Sequence, residues 1–89
     1  MKFLETFSER YPTEDDVKFW EDYLDQNYTK FSNTEFGKMI QIDDKSYFLR
    51  NKREVTDRLF WDIKYSFNQQ IYQPSLRRAI KNWIDRNNI

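Results

Sequence analysis

The stretch EVTDRLFWDIKYSFNQQIY, residues 54–72, admits two readings, and the choice between them decides the fold. Val55, Leu59, Ile63, Phe67 and Ile71 recur every four residues, Phe60 fills the interval, and no glycine or proline interrupts the run, as an amphipathic helix requires. Leu59, Trp61, Ile63, Tyr65 and Phe67 also alternate at period two and are residue types that suit a pleated sheet, so the same letters read as a strand. The unbroken recurrence predicts a long helix from Glu54 to Tyr72, with Glu54 and Arg58 as a favourably oriented i,i+4 ion pair. The strand reading would make the domain winged-helix-like instead.

Working outward, Pro74 and Ser75 introduce Leu76, Ala79, Ile80, Trp83 and Ile84 at i, i+3, i+4, i+7, i+8 spacing, a closing helix with Arg77, Arg78, Lys81 and Arg86 off its apolar stripe. On the other side, MIQI (39–42), DDKS (43–46) and YFL (47–49) read as strand, four-residue polar turn and strand. SNTE (32–35) competes with this as a capping box that would launch a helix bearing Phe36, Met39 and Ile40. The density of β-branched and aromatic residues favours the hairpin. Its turn lacks an Asn-Gly or Asp-Gly pair, so the packed face is expected to set the register. Further back, Thr13 with Glu14, Asp15 and Asp16 behind it is a helix start, and Val17, Trp20 and Leu24 form a stripe carrying that helix to about Asn27. Phe3, Leu4 and Phe7, ahead of the break at Tyr11-Pro12, predict a short opening helix over residues 2 to 10. The expected architecture is α+β and mostly helical: one compact domain over residues 1–89, with about four helices and a small central β-hairpin. Trp20, Leu24, Ile63, Phe67, Ile80 and Trp83 are expected to share its core.

Composition narrows the chemistry. The chain has no cysteine and no histidine, which removes disulfides, thiolate chemistry, Cys/His zinc sites and the side chain most used for proton transfer near neutral pH. A single glycine, Gly37, cannot build a phosphate-cradling loop. No catalytic motif, cofactor or metal is therefore expected, and the chain reads as a non-enzyme. No apolar run approaches the length of a membrane span, and MKFLETFSER lacks the apolar core of a signal peptide, so a cytoplasmic location is expected. Ala, Gly and Pro together supply only four residues while Lys, Asn, Ile, Phe and Tyr abound. That balance points to an AT-rich genome, as in low-GC bacteria, their phages and mobile elements.

The formal net charge is zero, yet residues 1–27 hold eight acids and three bases, and the remainder seven acids and twelve bases. Such a two-faced chain can steer and orient a charged partner. Glu14, Asp15, Asp16, Glu21, Asp22 and Asp25 could imitate the phosphate row of a nucleic acid and plug a basic groove on a nucleic-acid-handling protein. An exposed helix face with good N-terminal electrostatics explains the same acids without a partner. Arg50, Lys52 and Arg53, then Arg77, Arg78, Lys81 and Arg86, are candidates for phosphate contact, with Tyr47, Phe48 or Trp61 as stacking surfaces. Against that stands a balanced total, with a sequence pI near 6.2.

Residues 34–42, TEFGKMIQI, resemble the first half of a helix-turn-helix, in which a small residue sits in the first helix and an apolar residue follows the turn. Gln41 stands where glycine often marks the turn, and Arg50 where the second helix needs an apolar residue. The resemblance implies DNA contact by Lys45, Ser46 and Arg50, with Lys52 and Arg53 on the phosphates. The leading expectation is nonetheless a small protein-binding inhibitor or modulator of a larger nucleic-acid-handling machine. A DNA-binding regulator of helix-turn-helix or winged-helix type is the alternative, and a self-associating assembly protein comes third.

Overall fold

A computed structural model of the chain describes residues 13–67 and 73–88. The expected opening helix over residues 2 to 10 lies outside them. In order, the elements are α1 (Glu14–Asn27), β1 (Phe31–Thr34), β2 (Gly37–Ile42), β3 (Lys45–Phe48), α2 (Lys52–Ser66) and α3 (Gln73–Asn87). The fold is α+β, with three helices among the described residues where about four were expected, and a three-stranded antiparallel sheet in the order β1-β2-β3.

Helix α1 begins as its sequence dictates. Thr13 is extended at the N-cap, and its Oγ1 accepts a hydrogen bond from the Asp16 amide at 3.2 Å, while Glu14, Asp15 and Asp16 place negative charge on the first turn. Val17, Trp20 and Leu24 are buried along one stripe.

The hairpin is present but larger and tighter than expected. Ile42 pairs with Lys45, so the turn is Asp43-Asp44 alone, and Lys45 and Ser46 belong to the strand. Asp43 takes a φ of 58°, a conformation that a short polar side chain tolerates, which lets the ladder run two residues further than the polar letters suggest. A third strand, β1, pairs with β2 from Phe31↔Ile40 to Thr34↔Gly37. Here Thr34, one of the capping-box letters, closes a β-turn instead of a helix: its Oγ1 accepts from the Phe36 amide at 3.2 Å and donates to the Gly37 carbonyl at 2.8 Å. Gly37 adopts a φ of 134°, which no helix accommodates, so the helix-turn-helix resemblance at residues 34–42 is not borne out in three dimensions.

The decisive run is helical. Val55, Leu59, Phe60 and Ile63 are buried, whereas Trp61 and Tyr65, which a strand would have placed beside Leu59 and Ile63, are exposed. The winged-helix alternative needed that strand and falls with it. Helix α2 starts two residues before Glu54 and ends at Ser66; residues 68–72 of the expected helix lie outside the described residues. Phe67 leaves helical geometry while its amide still bonds the Ile63 carbonyl at 3.1 Å. Phe67 is 38% exposed, so it flanks the core it was expected to join, with its ring 5.3 Å from that of Trp20. Arg58 turns to Asp43, at 2.6 Å, and not to Glu54, because the β2–β3 turn brings a carboxylate from another element within reach.

On α3, Leu76, Ala79, Ile80, Trp83 and Ile84 are all buried, as their spacing requires. Helix α3 lies between α1 and α2, packing against both. Buried residues from the three helices join Ile40 and Ile42 of β2 and Leu49 in one apolar cluster. Among the described residues no helix is long and apolar enough to cross a membrane.

Candidate functional site

The acids of α1 divide into two sets. Glu21 accepts from Arg86 at 3.3 Å and from the Asn82 amide at 3.5 Å, and Asp25 accepts from the Trp83 indole N–H at 2.8 Å, with Arg86 3.5 Å away. These two carboxylates bind α1 to α3. The indole of Trp83 is otherwise sealed in the core, and a buried N–H without an acceptor is costly, so Asp25 has a structural task. Glu14, Asp15, Asp16 and Asp22 are exposed and belong to no ion pair among the described residues.

Helical periodicity puts Asp15, Phe19 and Asp22 on the face opposite Val17, Trp20 and Leu24. Phe19 is 57% exposed there, its ring edge-on to Trp20 at 4.9 Å. An outward phenylalanine between two outward acids is a feature the sequence reading passed over. Its signal was available, since position 19 falls outside the apolar stripe while being as apolar as anything in it.

The bases also divide. Lys52, Arg53, Arg77 and Lys81, from the start of α2 and the length of α3, line one cleft of about 680 Å³ together with Asp57 and Asp85. Thr56 and Ile84 complete its lining. Two ion pairs cross the cleft, Lys52–Asp85 at 2.8 Å and Arg77–Asp57 at 3.3 Å, and the Arg77 guanidinium lies 4.1 Å from the centre of the Phe60 ring. The other basic candidates lie elsewhere. Lys45 and Ser46 are exposed on β3, and Arg78 is exposed on α3 outside the cleft lining. Arg50 stacks on Phe48 at 4.8 Å and donates to the Phe36 carbonyl at 3.3 Å, tying the β1–β2 turn to the approach of α2. Of the proposed stacking rings, Tyr47 and Phe48 are half-buried and Trp61 is exposed.

A polar hollow of about 310 Å³ under the β2–β3 turn is lined in part by Tyr23, Tyr28, Lys30, Asp43 and Asp62. The Tyr28 hydroxyl donates to Asp62, and burial, followed by that hydrogen bond, pushes the Tyr28 phenol far above its ordinary range. Burial and the Asp62 charge raise Tyr23 as well. Both phenols therefore stay protonated at neutral pH, and the Tyr28–Asp62 hydrogen bond fixes the α1–β1 connection to α2. Among the described residues, no group of three or more acidic side chains is placed to hold a metal ion. Comparisons with protein-family models, with curated proteins and with solved structures find no match to this chain.

Proposed function

We propose that the protein is a non-enzymatic interaction protein of the cytoplasm, a stoichiometric inhibitor or modulator that enters a basic groove on a larger nucleic-acid-handling protein through the outward face of α1. The observation that carries this reading is Phe19, 57% exposed between Asp15 and Asp22. An apolar ring ringed by charge is the usual anatomy of a helix that anchors in a partner's pocket, where the ring supplies burial and the acids supply orientation. A groove built for phosphates provides cations for those acids. The engagement of Glu21 and Asp25 by α3 sharpens the proposed contact to the outward acids Asp15 and Asp22, with Phe19 between them. The AT-rich composition suits a phage or mobile element, which gives the proposed partner a place in the host cell.

A second reading, a small DNA-binding regulator, draws support from the convergence of Lys52, Arg53, Arg77 and Lys81 on one cleft. Asp57 and Asp85 interrupt that cleft and weaken it as a track for phosphates.

The test is affinity capture from the native host with the intact protein, compared with Asp15→Lys/Asp22→Lys and with Phe19→Ala. The expected result is one nucleic-acid enzyme retained by the wild type, reduced about 10-fold or more by either change, and blocked from its nucleic acid at one-to-one stoichiometry. A salt-sensitive gel shift with free duplex DNA, abolished by reversing Arg77, Arg78 and Lys81 to Glu, would establish the second reading instead.

A further inference from the structure

We propose that the cleft between α2 and α3 is a docking site for a second copy of this chain, and that it receives the outward face of the other copy's α1. Lys52 and Arg77 are already matched by Asp85 and Asp57, which leaves Arg53 and Lys81 as cleft cations without a carboxylate partner among the described residues. Both are exposed and open to anionic groups from outside. From Arg53, a four-residue step along α2 puts Asp57, Trp61 and Tyr65 on one stripe. Trp61 and Tyr65 are 42% and 66% exposed, their rings are 5.8 Å apart, and the Lys64 ammonium sits 4.8 Å from the centre of the Trp61 ring. The cationic cleft thus runs out onto an aromatic ledge.

The outward face of α1 has the complementary chemistry: Asp15 and Asp22, about 10 Å apart along the helix axis, with Phe19 between them. Its carboxylates are opposite in charge to Arg53 and Lys81, and its ring is apolar like Trp61 and Tyr65. A nucleic acid fits less well, because Asp57 and Asp85 stand among the cleft cations and repel a continuous row of phosphates, whereas a helix with spaced acids meets the cations singly. The charge distribution favours a second copy in particular. The chain is neutral overall, so two copies meet without net repulsion. The contact is heterologous, helix into cleft, so association continues from copy to copy unless a ring closes.

This assembly covers the face of α1 used in the proposed function, so concentration would regulate its availability. That consequence rests on the proposed function, while the docking itself does not.

Sedimentation equilibrium from about 1 μM to about 1 mM tests the proposal. The expected result is a weight-average mass that rises with concentration and falls back at high salt. Asp15→Lys/Asp22→Lys and Arg53→Glu/Lys81→Glu should each weaken association about 10-fold or more, and an equimolar mixture of the two should recover it, since one intact helix then meets one intact cleft. Circular dichroism confirms that each variant is folded, and Arg53→Gln/Lys81→Gln provides a milder replacement. A strict monomer over the whole range overturns the proposal, as does association that neither variant weakens, or a mixture that fails to recover. A DNA gel shift removed by Arg53→Glu/Lys81→Glu would also overturn it by assigning the cleft to nucleic acid. Loss of the host partner from Asp15→Lys/Asp22→Lys alone, with Arg53→Glu/Lys81→Glu retaining it, would leave the proposed function standing whatever the mass shows.

Discussion

Helix α3 meets α1 along one side and α2 along the other, and charge serves opposite ends on the two. At the α1 side, Glu21 and Asp25 of α1 close onto Arg86, Asn82 and the Trp83 indole, so the polar groups complete a packed contact. At the α2 side, Lys52–Asp85 and Arg77–Asp57 bridge the rim of an open cleft and leave Arg53 and Lys81 facing solvent. The lesson is that a carboxylate beside a buried indole is a structural part, whereas a cation at an open seam remains available for a partner. Residue type does not distinguish them; burial of the partnering group does.

The largest effect that could break this comparison is on the α1 side. Trp83→Ala removes a side chain that is 1% exposed and the donor that engages Asp25, and it should cost about 3–5 kcal/mol in denaturant unfolding. The same change at Trp61, on the aromatic ledge, should cost less than about 1 kcal/mol. Equal losses would mean that the two sides of α3 are not different in kind.

A smaller change isolates the polar part of that contact. Asp25→Ala leaves the Trp83 N–H without its acceptor and should cost about 1–3 kcal/mol, while Asp25→Asn, which keeps a carbonyl oxygen in place, should cost less. If alanine and asparagine are equivalent in urea titration, the carboxylate contributes through charge toward Arg86 and not through the indole.

The smallest effect is expected at the open seam. Arg53→Gln with Lys81→Gln should move stability by no more than about 0.5 kcal/mol, because neither cation has an ion-pair partner among the described residues. Even Lys52→Ala, which breaks a 2.8 Å pair between half-exposed groups, should cost less than about 1 kcal/mol in thermal unfolding. A larger loss for either would make the cleft cations structural and remove the contrast with Asp25.

The sequence by itself determined the local elements whose pattern is self-contained. Thr13 and the acids behind it start α1 and the Leu76–Ile84 spacing builds the buried face of α3, because caps and periodicity act within a few residues of chain. The run from Val55, by contrast, carries both a helical and a period-two pattern and is settled as a helix by which of its residues the core buries. Tertiary structure decided what depends on neighbours distant in sequence. Strand β1 exists because β2 offers it a ladder, and the letters SNTE are equally compatible with a cap until that partner is in place. Arg58 chose Asp43 over Glu54, Asp25 was taken up by a tryptophan 58 positions away, and Arg53 and Lys81 came to share a cleft only when α2 and α3 packed side by side. Those outcomes turn on distance and desolvation across the fold, and neither quantity is carried by the spacing of residues along the chain.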